Sequence, residues 1–186
     1  MTSTKSEILN LKFKMAMDKQ YPTGKFTARD VYSAEELASF IQRIETLPHR
    51  LAAEVKKLTP AQWDTPYREG GWTIRQVVHH VADSHTHAYI RTKWALTEDA
   101  PTIKAYLEKP WAETPDTRMD VAVSLTLLDA LQTKWITLLK ALTAAERKRT
   151  FTHPQTGKVV SLETLMGMYA WHGDHHLAHV KLISDF

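Results

Sequence analysis

Apolar residues recur three and four apart along most of this 186-residue chain, and four stretches hold that rhythm long enough to predict long helices. The first follows Ser33-Ala34-Glu35-Glu36, where serine and glutamate are spaced to cap each other's backbone donors. It carries Leu37, Phe40, Ile41, Ile44 and Leu47 and reaches about Lys57. Pro48 lies inside it and is expected to bend it, because proline removes a donor and crowds the preceding turn. Thr59-Pro60-Ala61-Gln62 caps a short turn, which Asp64-Thr65-Pro66-Tyr67 and Gly70-Gly71 end. Thr73 caps the second long helix, running to about Leu96 with Ile74, Val77, Val78, Val81 and Ile90 as its apolar positions. Asp120 opens the third, through Val121, Leu128, Leu131, Trp135 and Leu142, and Thr143-Ala144-Ala145-Glu146 is a further capping box. Ser161 caps the fourth, which ends near Ile183.

The segments between are different in kind. Residues 100–115 are broken by proline and read as an ordered loop with short turns, carrying Tyr106 and Trp111 where they can shape a site. Thr150–Val160 has a turn-forming centre between β-prone flanks and predicts a small hairpin. Residues 1–32 lack periodicity and read as an N-terminal arm, disordered at its start, that packs on a single domain of residues 33–186. The fold class is all-α, a four-helix bundle with long crossover connections and a β-hairpin before the last helix.

Composition narrows the chemistry. At 43% hydrophobic and 24% charged, the chain is one globular domain, and its net charge of +3 is spread without a basic tract, so nucleic-acid binding is not argued for. There is no cysteine, so a transition-metal site must use histidine and carboxylate, and any thiol must arrive with a substrate. No leader or membrane span is recognisable, which makes the cytoplasm the expected compartment.

Eight of the ten histidines fall in two clusters, both on predicted helices. In Trp171-His172-Gly173-Asp174-His175-His176-Leu177-Ala178-His179, His172 and His176 stand one turn apart on one face and can grip one ion. The four histidines there span an arc of about 100°. In Val78-His79-His80-Val81-Ala82-Asp83-Ser84-His85-Thr86-His87, the stripe His80, Asp83, Ser84 and His87 is similarly narrow, and His80 is the candidate third ligand. Such stripes are costly in a dry core unless they bind an ion, bond to each other or line a wet cleft. His79 and His85 point to other faces and read as surface or supporting groups, and Arg75 as a solvated helix residue. Trp72, Trp94, Trp135 and Trp171 read as core or pocket wall. Gly173 follows His172, so the zinc-protease pattern with glutamate after the first histidine is absent.

The segment from Thr65 through Gly70-Gly71-Trp72-Thr73 to His79-His80-Val81-Ala82-Asp83-Ser84-His85, with Trp171 through His179 downstream, resembles the DinB/YfiT-like superfamily. Within it the chain is most similar to the YfiT group, classed with metal-dependent hydrolases and related to bacillithiol S-transferases. The likeness runs from Tyr21-Pro22-Thr23-Gly24 onward and includes Tyr89-Ile90-Arg91, Leu96-Thr97-Glu98 and His153-Pro154. It implies a four-helix bundle, a homodimer and one divalent ion (zinc, nickel or manganese) held by His80, His172 and His176. Relatives often have Arg-Gly-Gln after the last ligand, where this chain has Leu177-Ala178-His179. That leaves His179 as an extra ligand or a pocket acid/base. The expected chemistry is metal-activated water in hydrolysis or a metal-activated thiolate in transfer. Asp83 or His179 would move protons, and a small-molecule electrophile would lie against Tyr106, Trp111 or Trp171. A non-catalytic protein in which the ion staples the bundle is the competing class.

Overall fold

Capping side chains start the long helices where the sequence places them. The computed structural model describes residues 18–185, so the expected disorder of the opening residues lies outside what is described. Ser33 and Glu36 cap one another's amides to begin α1 (Ala34–Val55), which continues through a buried Pro48. A one-turn α2 (Pro60–Trp63) follows, and then Thr73 and Gln76 form the same reciprocal cap at α3 (Ile74–Thr97). The 100–115 segment holds a one-turn α4 (Glu108–Trp111) and leads to a 3-10 turn at Pro115–Arg118. Asp120 accepts from the Ala122 amide at the head of α5 (Val121–Ala141), and a one-turn α6 (Ala144–Arg147) comes next. Strands β1 (Thr150–His153) and β2 (Lys158–Ser161) pair antiparallel, with Phe151 opposite Val160. Ser161 then caps α7 (Leu162–Ser184). The predicted helix ends hold to within about two residues.

The four long helices form the bundle, α1 and α3 each packing against both α5 and α7. Consecutive pairs α1/α3 and α5/α7 therefore sit across the diagonal, which explains why the connections between them are long. Two apolar clusters fill the interior. One gathers Trp135, Phe151, Leu165 and Met166, and the other Leu51, Ile74, Leu128 and Val180. The first half of α3 shares a cluster with the second half of α7, and the remaining halves share the other, so these two helices run antiparallel. His80 on α3 and His172 on α7 both fall where one cluster gives way to the next. No helix among the described residues is long and apolar enough to cross a membrane.

The rotation of α7 has a local cause. A Cβ at Gly173 would lie 2.6 Å from the Leu47 side chain, so the absence of one lets α7 approach α1 at that level. Beside it, the Asp174 carboxylate accepts from Arg43 and Arg50 of α1, each at 2.7 Å. With Gly173 and Asp174 turned to α1, the neighbouring imidazoles turn toward α3.

Candidate metal centre and its cavity

His80, His172 and His176 come together across the α3/α7 seam, with one nitrogen from each within 4.8 Å of the others. The Nε2 atoms of His80 and His172 are 3.2 Å apart. Two nitrogens at tetrahedral positions 2.0–2.1 Å from one ion would stand about 3.3–3.4 Å apart, so this spacing fits a shared ion closely. Burial pushes the His80 imidazole down to about 4 and those of His172 and His176 well below their ordinary range, with the other histidines adding to the effect. The rings are therefore neutral and offer lone pairs, the form a metal ligand needs. The buried Nδ1 of His172 has no hydrogen-bond partner.

One ligand's tautomer can be read from its neighbours. His179 Nε2 lies 3.4 Å from the Gln20 carbonyl, which can only accept, so the proton of a neutral His179 sits on Nε2. Its Nδ1, now a lone pair, is 3.3 Å from His176 Nδ1, which must then carry the hydrogen and donate it. That leaves His176 Nε2 unprotonated. A ligating histidine commonly has its other nitrogen held in this way.

The trio opens into a cavity of about 560 Å3 between the helices and the hairpin, lined by Trp72, Ser84, Arg91, Tyr106, His153, Val160, Met168, Tyr169, Trp171 and His175, among others. Thr102 pairs with Thr152 of β1, and through that bridge the 100–115 loop is anchored at the cavity edge. The arm reaches the same region. Trp171 Nε1 donates to the Gly24 carbonyl at 3.0 Å, and Tyr21 packs against His175.

Several sequence expectations change here. His179 is not in the cavity wall. It stacks on Tyr67 at 3.9 Å behind His176, so the narrow arc of four histidines is divided between the cavity and a supporting layer. Asp83 does not line the cavity either. Burial, with Asp116 nearby, raises its carboxyl to about 6, because the Pro115–Arg118 turn covers that side of α3. Trp111 is 41% exposed and packs on His87 and Tyr106 rather than lining the cavity. Tyr106 and Trp171 do line it.

His79 and His85 are buried rather than at the surface, because α3 is covered by α5 as well as α7. His79 pairs with Ser124 at 2.7 Å and His85 with Gln132 at 2.7 Å. Arg75 is not a free solvated group, since Asp64 accepts from it twice. Two residues that sequence reasoning passed over, His175 and Arg91, line the cavity. His175 shared the narrow arc and could have been picked out on that ground. Arg91 repeats the His80 face at three- and four-residue steps through Ser84 and His87, a signal the polar stripe already contained.

A helical bundle with three neutral imidazoles converging in an aromatic cavity has the donor set that a histidine-only metal centre would use. A model of the DinB superfamily matches residues 43–180, and the chain belongs to that superfamily. It is 52% identical over 163 residues, 88% of this chain and 94% of the other, to a Bacillus cereus (strain G9842) protein provisionally named a metal-dependent hydrolase. A Bacillus mycoides (strain KBAB4) protein with the same provisional name is 51% identical over 168 residues, 90% and 96% of the two chains. Among solved structures, YfiT from Bacillus subtilis, provisionally assigned as a metal-dependent hydrolase with an unusual four-helix bundle topology, superposes with a TM-score of 0.88. It is 45% identical over 90% of this chain and 96% of its own.

Proposed function

We propose that this protein is a metal-dependent enzyme acting on a small-molecule electrophile, with hydrolysis as the first reading. The observation that carries it is the convergence of three neutral imidazoles at the inner end of a cavity large enough for a substrate. His80, His172 and His176 would hold the ion, and His179, tied to the Gln20 carbonyl, would position His176. A divalent ion bound there supplies Lewis acidity that brings water or a thiol into its acidic range near neutral pH. Trp72, Trp171 and Tyr106 present apolar faces to a substrate, and His175, a neutral imidazole in the wall, is placed to accept a proton.

The names of the relatives favour hydrolysis. One feature of the site favours thiol transfer as a second reading. Among the described residues, Glu108, exposed on α4, is the only carboxylate lining the cavity, so none of their buried carboxylates is placed there as a general base for water. A low-molecular-weight thiol, more acidic than water, needs less help. A zinc or nickel ion, a homodimer and a cytoplasmic setting complete the proposal.

The test is metal analysis of the purified protein, followed by an electrophile screen with water, glutathione and bacillithiol as competing acceptors. Turnover that disappears on chelation and in His172→Ala is the expected result. A protein that loses thermal stability on chelation, turns over nothing, and shows a cobalt spectrum insensitive to thiol would be a metal-stapled bundle instead.

A further inference from the structure

Arg91 is the buried charge that the three-histidine reading leaves unused. It is 6% exposed, it lines the cavity, and it takes part in none of the ion pairs among the described residues. A guanidinium has five N–H donors. Among the described residues, the hydrogen bond it makes is one from Nη1 to the Tyr169 hydroxyl, a long contact of 3.5 Å, and its buried Nε has no partner. Removing a cation from water without a counter-ion costs several kcal/mol, so a fold has no reason to keep one there for packing alone. The other charged lining groups are Lys109, Lys158 and Glu108, which leaves the cavity with a surplus of positive charge.

The placement is also directional. Arg91 lies about three turns beyond His80 on the same face of α3, ~16 Å of helix rise. Side chains on a helix lean toward its N-terminus, which brings the guanidinium back toward the trio. Tyr169, three residues before His172, receives hydrogen bonds from both Arg91 and Ser84 and so links the two ends of the cavity. The lining also includes the apolar side chains of Phe151, Val160 and Met168.

We propose that Arg91 is an anion-docking residue, and that the cavity takes a small molecule carrying a carboxylate on Arg91, an apolar middle, and its reacting group at the three histidines. A carboxylate matches the planar guanidinium with two parallel hydrogen bonds, the geometry in which arginine is strongest. The ligand has a length on the order of 10 Å, set by the helix rise less the backward lean of the side chain. The proposal rests on the proposed function only for which end reacts; the docking itself needs no metal.

The test is calorimetric titration of the full chain, as purified and after chelation, with phenylalkanoates from phenylacetate to 6-phenylhexanoate and with the matching neutral amides. At one chain length or more the acid should bind at least about tenfold more tightly than its amide, with and without metal. Arg91→Gln should bring acid and amide to within about twofold, and Arg91→Lys should lie between. Unliganded Arg91→Gln should melt at or above the parent temperature, since it removes a charge that only a ligand satisfies. Equal binding of acids and amides throughout, or a preference that survives Arg91→Gln, overturns the proposal. So does a preference that vanishes on chelation, which would place the carboxylate on the metal, and so does an Arg91→Gln chain that fails to fold, which would make the guanidinium a structural tie. Docking that fails here leaves metal-dependent turnover untouched, and turnover that fails in the screen leaves docking untouched.

Discussion

Helix α3 buries histidines on two sides, and the two sides treat them differently. Toward α5, His79 meets the Ser124 hydroxyl and His85 meets the Gln132 amide, each at 2.7 Å, so a ring nitrogen of each is satisfied by a neutral side chain from the facing helix. Toward α7, His80 meets other imidazoles, His172 at 3.2 Å and the ring of His176 at a centroid distance of 4.8 Å, with Trp72 packed beside it at 4.7 Å. Both groups are desolvated and both are held neutral. Burial and depressed basicity are thus shared by the two groups, and what separates them is that His79 and His85 each pair a ring nitrogen with a neutral side chain of α5, whereas His80, His172 and His176 turn nitrogens toward one another. Where three imidazoles turn nitrogens toward one point, the geometry is one that a shared cation would fit.

The largest effect should come from breaking the α7 side. Alanine at His80, His172 or His176 should each reduce bound metal from about one ion per chain to near none after gel filtration, because a tetrahedral site with two protein ligands left is open on two sides. Retention of full metal content by any one of the three variants would remove that residue from the ligand set. Breaking the α5 side should leave metal content intact and cost folding free energy instead. His85 is fully buried, and His85→Ala leaves a void and an unpaired Gln132 amide, for a loss of about 2–4 kcal/mol in denaturant unfolding.

This division was partly legible in the chain. The i, i+4 pair His172 and His176 and the caps at Thr73 and Ser161 depend on local spacing, which a sequence displays directly. His80 needed only the further assumption that the two polar stripes face one another. The status of His79 and His85 depended on α5 covering a second side of α3, a tertiary fact that periodicity on α3 alone does not carry. Asp83 shares the His80 stripe on an ideal helix, yet the Pro115–Arg118 turn covers that side, and no pattern in the loop announces where it will lie. Arg91 was hardest to read, because its meaning lies in what is missing around it.

Acid should expose the comparison on a single curve. Burial lowers His80 to about 4 and His85 to about 3, against an ordinary value near 6.5. Between those limits the unfolded chain binds protons that the folded chain does not, so stability is complete above about pH 6.5 and falls as pH drops toward the folded values. Each buried imidazole adds up to about 1.4 kcal/mol per pH unit. Metal affinity should decline over the lower part of the same window as protons compete for the ligand nitrogens. The His85→Ala chain should show a shallower acid limb for stability with an unchanged acid limb for metal affinity. Parallel changes in both would mean that the two sides of α3 are one coupled unit.

The finest distinction lies within α7 itself, because His176 belongs to two overlapping groups. His175, His176 and His179 also bring one nitrogen each within 4.8 Å of one another. Two observations weigh against that second trio as the ion's seat. The ring of His175 is stacked on Trp171 at 4.7 Å and 18°, a contact that orients it against the indole and the arm. The Nδ1 lone pair of His179 is engaged by the His176 Nδ1 hydrogen, and its Nε2 by the Gln20 carbonyl, so a ligand role would break at least one of these bonds. His179→Ala should therefore weaken metal binding about 10–100-fold, the usual cost of removing a group that holds a ligand's other nitrogen, without removing the site. His175→Ala should leave affinity within about twofold, since it removes neither a ligand nor a hydrogen bond to one. If His175→Ala instead matched His172→Ala, the ion would lie on the arm side of His176, and the cavity would lose its reactive end.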